Sequence, residues 1–254
     1  PGDAAIVAQK ILRNLAEAFQ INGHELHTTA SIGIAVYPQD GNDVETLLKN
    51  SDTAMYHAKD AGRSNYQFFT QAMNAAATER LLLESSLHLA IERNEFLLNF
   101  QPIVNMVDGS IAATEALLRW HHPIHGLIPP DKFIPVAEES GLIVPIGEWV
   151  FRHACLQLKQ WRDLGIKLPH MVINLSHRQF RQPNLVQTFA DILSETGIDP
   201  HSVGLDITES VIMERPEVSI GLLKQLKAMG IELSLDDFGT GYSSLQYLKR
   251  LPLD

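Results

Sequence analysis

Hydrophobic positions change their period along this chain. Over residues 5–19, Ile6, Ile11, Leu12, Leu15 and Phe19 recur at helical spacing, and Asn22-Gly23 then supplies a turn before a short strand. Residues 28–37 (TTASIGIAVY) are β-branched and small, which predicts a strand. Residues 38–42 read as a turn, 44–61 as a second helix stopped by Gly62, and 66–69 as a closing strand. A helix over 78–92, carrying Leu81, Leu82, Leu87, Leu89 and Ile91, is suited to link two domains.

The pattern then becomes strand-like. Residues 96–107 and 111–120 flank Asp108-Gly109 at hairpin spacing. Helices over 147–164, 184–195, 218–229 and 244–250 alternate with strands over 171–175, 203–208 and 232–235. Alternation with short connections predicts an α/β fold with a parallel sheet, open or closed.

Composition narrows the ligand classes. Thirty acidic against 20 basic residues give a net charge of −10, which argues against a protein that wraps long nucleic acid, because such proteins carry a basic face. A small anion held by one or two local cations fits that balance. Cys155 is the single cysteine, so there is no intramolecular disulfide and no cysteine-based zinc cluster, and a reducing, cytoplasmic setting is expected. No apolar run reaches the roughly 20 residues that span a bilayer, so this segment predicts no membrane contact. The first residue is Pro1 rather than Met, and the chain reads as a stretch of a longer protein.

Oxygen-bearing residues recur at the predicted strand ends. Glu115 lies in the second hairpin strand, Asn174 near the end of VINLS, Glu209 just past LDIT, and Asp236-Asp237 just past LSL. The carboxyl ends of parallel strands converge on one ligand-binding face. Such a set suits hard cations such as Mg²⁺ or Mn²⁺, and two ions roughly 3.5 to 4 Å apart would clamp the attacking and leaving oxygens of a phosphoester hydrolysis. Each residue alone also has a structural reading: Glu115 as a solvated residue, Asn174 as a turn former, Glu209 as a helix opener, Asp236-Asp237 as a turn. Their coincidence in otherwise apolar segments brings the metal site level with these structural readings.

Other motifs weigh less. His121, His122 and His125 lack metal-ligand spacing because Pro123 and Gly126 interrupt them. Cys155 sits in a helix stripe and reads as core. Arg119, four residues past Glu115 on one strand face, is a salt-bridging residue or a phosphate clamp. The glycine-bearing loop at 239–244 reads as a phosphate cradle, a hinge or a helix cap.

These motifs resemble the EAL family of cyclic di-GMP phosphodiesterases. The matches are FQPIV at 100–104, EALLRW at 115–120, IPPDKFIPVAEESGLI at 128–143, VINLS at 172–176, DITES at 206–210 and DDFGTGYSSLQYLKRLPLD at 236–254. The resemblance implies a (β/α)₈ TIM-like barrel with an antiparallel first strand, here reaching the fifth strand and its helix. It implies Mg²⁺ or Mn²⁺ dependence and hydrolysis of cyclic di-GMP to linear pGpG, with a water made acidic by the metal as nucleophile. By motif position, Glu115, Asn174, Glu209 and Asp236 would hold the first metal, Asp237 would join Asp236 at the second, and Gln101 and Arg119 would contact substrate. Glu115, Asp236 and Asp237 are the catalytic candidates.

Residues 28–41 and 47–69 resemble the C-terminal part of a GGDEF diguanylate cyclase domain, an α+β fold. There Lys59 and Arg63 fall where that family places phosphate-contacting cations; solvated helix-end residues are the alternative. The expected organisation is a partial GGDEF domain over 1–70, a linking helix over 71–92 and an EAL domain over 93–254. The resemblance also implies pairing into a homodimer near the loop at 236–244, and a lysine and a further glutamate of the active site beyond Asp254. The 254-residue chain alone is therefore expected to be inactive or weakly active. A non-catalytic cyclic di-GMP receptor and a signalling scaffold remain alternatives, and a sensor or membrane region upstream stays open.

Overall fold

A computed structural model describes residues 2–21, 24–166, 170–237, 239 and 249–254. The chain divides into two compact units, Pro1–Leu82 and Leu83–Asp254.

The first unit opens with helix α1 (Gly2–Ala16), followed by strands β1 (Phe19–Ile21) and β2 (His24–Leu26), which pair antiparallel. Phe19, expected on the helical stripe, is thus in a strand, and the Asn22-Gly23 turn lies outside the described residues. Strand β3 (Ile32–Ile34) crosses over through α2 (Val44–Asp60) to the parallel strand β4 (Tyr66–Phe68). The ladder is shorter than the β-branched run predicts, because the Val36 N–H turns to the Asp40 carboxylate at 2.7 Å instead of a strand partner. Asp43 caps α2 by accepting the Thr46 N–H at 2.8 Å, a bond that holds its carboxyl below its ordinary pKa. After α2, Arg63 takes a left-handed φ of 58°, and the Lys59 ammonium lies 4.8 Å from the Tyr56 ring centroid.

Helix α3 (Gln71–Ala90) runs from the first unit into the second, starting seven residues before its apolar stripe predicts. Leu87 and Ala90, at its end, are fully buried. Strands β5 (Phe96–Val104) and β6 (Ile111–His122) then pair antiparallel, with Val104 opposite Ile111. Their connection is a six-residue loop rather than a two-residue turn. Within it Gly109 takes φ 72°, its N–H bonding Asn105 O at 2.9 Å.

The rest of the unit consists of β7 (Gly126–Ile128), α4 (Pro130–Ser140), α5 (Ile143–Asp163), β8 (Met171–Leu175), α6 (His177–Phe180), α7 (Leu185–Thr196), β9 (Val203–Thr208), α8 (Glu209–Glu214), α9 (Pro216–Ala228) and β10 (Glu232–Asp236). The six-stranded sheet runs β10-β9-β8-β6-β5, with β7 on β6; β6, β8, β9 and β10 are mutually parallel. This is part of the expected barrel, with its antiparallel first strand in place. The helix predicted over 244–250 lies mostly outside the described residues.

One face of the sheet is apolar and packed. Ile173, Leu175, Leu205, Ile207 and Leu233 are buried there, and Phe151 of α5 stacks on Phe189 of α7 with centroids 3.9 Å apart. Cys155 belongs to this core, and burial pushes its thiol up to about 12. It is expected to resist alkylation at about pH 8 in the folded chain and to react once denatured, since the thiolate is the nucleophile. Rapid labelling under native conditions, read by mass spectrometry, would contradict this packing.

Candidate active site

The polar residues lie on the other face. Alternate residues of a strand point to the same side, so the registers across β8, β9 and β10 place Asn174, Asp206 and Ser234 in one row and Thr208 and Asp236 in the next. Gln101 is opposite Glu115 across β5 and β6, and the Asn174 amide donates to Glu115 Oε1 at 2.7 Å. Arg119, two alternations past Glu115, is half-buried on the same side and donates from Nη1 to Leu118 O at 2.8 Å.

Asp206 joins this group although the strand-end pattern passes over it. Burial pushes its carboxyl above its ordinary pKa; the Ser234 hydroxyl, which donates to it, pulls the other way, and the neighbouring carboxylates of Asp236 and Glu115 push further upward. The available signal was an acid in the middle of an otherwise apolar strand, VGLDIT, two residues from the strand end. Asp237 lies just past β10 with a left-handed φ of 55°, and its N–H donates to Asp236 Oδ1 at 2.8 Å. Such backbone conformations in non-glycine residues cluster at functional sites.

Glu209, which motif position assigns to the first metal, directly follows the last residue of β9. It is the first residue of α8, only 2% exposed, and its Oε2 accepts the Gly239 N–H at 2.9 Å. Its carboxylate therefore ties Gly239, three residues past the end of β10, to the start of α8.

A cavity of about 290 Å³ opens beside the row, lined by Arg119, Glu138, Asn174, Asp206 and Thr208 against apolar residues such as Ile134 and Ile146. Oxygen donors meeting mutually repelling carboxylates are the chemistry that hard divalent cations satisfy. Among the described residues, no three Asp, Glu, His or Cys side chains converge tightly enough to grip an ion in the conformation seen. A cation here would thus draw on the Asn174 amide oxygen as well as carboxylates. Of the histidines, His122 serves the fold: it is buried, and its Nδ1 accepts the N–H groups of Ile124 and His125 at 3.1 and 3.2 Å. Among the described residues, no helix is long and apolar enough to cross a membrane.

Residues 84–254 match the EAL domain family, and residues 2–65 match the diguanylate cyclase, GGDEF domain family. The chain belongs to the EAL domain family. It is 48% identical over 252 residues to MucR of Pseudomonas aeruginosa, a bifunctional diguanylate cyclase/cyclic di-GMP phosphodiesterase, covering 99% of this chain and 37% of MucR. It is 39% identical over 248 residues to the cyclic di-GMP phosphodiesterase PdeR of Escherichia coli, covering 98% of this chain and 37% of PdeR. This EAL chain thus spans a little over a third of the length of those relatives. Among solved structures, the MucR phosphodiesterase in complex with cyclic di-GMP superposes with a TM-score of 0.66 at 46% identity, over 68% of this chain and 70% of that one.

Proposed function

We propose that this EAL region hydrolyses one phosphodiester of cyclic di-GMP, giving linear pGpG, with Mg²⁺ or Mn²⁺ as cofactor. The observation that carries the reading is the grouping of Glu115, Asn174, Asp206 and Asp236 on one sheet face, with Asn174 and Asp206 lining a cavity. Relatives named as cyclic di-GMP phosphodiesterases, and a solved relative in complex with that dinucleotide, support the substrate.

Glu115, Asn174 and Asp236 would hold the first cation, with a further carboxylate from Asp206 or, by motif position, from Glu209, and Asp236 with Asp237 would hold the second. A divalent cation in such a site supplies Lewis acidity to the phosphate and lowers the pKa of a water. The chain's own groups do the rest. Arg119 is suited to pair with phosphate oxygens in bidentate fashion, and Gln101, beside Glu115, offers an amide to the substrate. Glu209 holds the backbone of Gly239, two residues past Asp237.

The test is chromatography of cyclic di-GMP incubated with the full-length protein that contains this chain, with Mg²⁺ or Mn²⁺ and a Glu115→Ala control. Metal-dependent appearance of the linear dinucleotide, lost in the control, is the expected result. Cyclic di-GMP bound but unchanged would reassign the protein as a receptor, and neither binding nor turnover would reassign it as a scaffold.

A further inference from the structure

Just past Asn174 the chain makes a single helical turn, α6, whose side chains reach three different helices. Ser176 and Gln179 close it with a reciprocal capping box. The buried Gln179 amide fills the space beside Gly147 of α5, where a Cβ would come within 1.8 Å of its Nε2. His177, 2.5 Å from the Glu214 carboxylate, and Arg181, paired with the same group, tie the turn to α8.

Arg178 reaches the other way, to α4. Its Nη1 donates to the carbonyl of Glu138 and, at 2.7 Å, to that of Glu139. The guanidinium lies over Gly141, the left-handed C-cap of α4 at φ 88°, where a Cβ would meet Cζ at 3.3 Å. The final carbonyls of a helix lack partners within it, and a cation there also complements the helix dipole. Pro135, inside α4, removes one backbone N–H from an eleven-residue helix, which makes an outside hold on its last turn more consequential.

We infer that Arg178 is a positioning residue for the cavity. It pins the last turn of α4, whose Glu138 lines the cavity, to the turn that directly follows Asn174, which also lines it. The distance between those two parts of the wall is then set by one side chain that itself stays outside the cavity. A rise in flexibility of α4 would loosen the grip on substrate while leaving the carboxylate row intact. The substrate part of this inference rests on the cyclic di-GMP reading; the pin does not.

The experiment compares Arg178→Met and Arg178→Lys in the full-length protein by amide hydrogen exchange and steady-state kinetics. Losing charge-assisted bonds to two carbonyls is expected to speed exchange over residues 136–144 about 10-fold in Arg178→Met, with residues 216–228 unchanged as control. KM for cyclic di-GMP should rise about 10-fold with kcat within about 2-fold. Arg178→Lys, whose ammonium can still reach the carbonyls, should recover most of both effects. A purely stabilising role would lower the melting temperature and leave KM in place. Unchanged exchange in Arg178→Met overturns the pin whatever the substrate does. Faster exchange with KM unchanged overturns the pocket role. A wild-type protein that neither binds nor cleaves cyclic di-GMP overturns the functional reading, and with it the pocket role, while the exchange result still decides the pin.

Discussion

Asp206→Asn is expected to lower metal-dependent turnover of cyclic di-GMP on the order of 10³-fold, because metal-centred charge stabilisation contributes several kcal/mol to such reactions and each 1.36 kcal/mol is a factor of ten. The substitution keeps size and hydrogen-bonding capacity but removes a charge from the row that includes Asn174, Ser234 and, one step on, Asp236. Its melting temperature without added metal should be no lower than wild type, since a carboxylate repelled by Asp236 and Glu115 has gone. Glu209→Gln makes the informative comparison. Its amide oxygen can still accept the Gly239 N–H, so its loss of activity should be at least tenfold smaller than that of Asp206→Asn. If Glu209→Gln is the more damaging of the two, at saturating metal, Glu209 and not Asp206 is the ligand.

Trp120→Ala carries the largest expected loss of stability. Trp120 alternates with Arg119 on β6, so its indole points into the apolar core and is fully buried. It packs against Phe133 and Phe96 with centroids 5.6 and 6.1 Å away, and its Nε1 donates to Glu95 Oε2 at 3.0 Å. Truncation to Ala should cost about 3–5 kcal/mol through the cavity it leaves, and it strips the Glu95 carboxylate of that donor. Trp120→Phe, which keeps most of the ring volume and loses the N–H, should cost well under half as much. The check is the midpoint of urea unfolding, followed by a probe of the EAL unit. A change below about 1 kcal/mol at constant m-value would show that the core around Trp120 is not packed as described.

Much of this architecture was legible because several elements are pure cases of one signal. Residues 171–175 and 203–208 are short apolar runs ended by polar residues, and β8 and β9 occupy those spans. Helix α4 escaped because Pro130 and Pro135 punctuate its sequence, although a proline in the first turn lacks only an N–H that would be unpaired anyway. Turns α6 and α8 are too short to show a helical period, so the side chains that brace the site from His177 to Arg181 were invisible. The site itself was read by proximity to strand ends. That rule gathered Glu115, Asn174, Glu209, Asp236 and Asp237, and it passed over Asp206, which lies within β9. Asp206 is recognised only once the register is known, because pairing across β8, β9 and β10 is what sets it beside Asn174 and Ser234.

The alternation of β8, β9 and β10 also bears on how such a protein can change over evolution. Asn174 and Asp206 are each one peptide unit from buried residues: Asn174 beside Ile173 and Leu175, Asp206 beside Leu205 and Ile207. Point replacements on the polar face can therefore silence chemistry and leave a folded domain, the route by which an enzyme becomes a receptor. A single-residue insertion or deletion within these strands has no such freedom. It would carry a carboxylate into the core and an isoleucine to the cavity in one step, so strand length is held by the packed face and the polar face together.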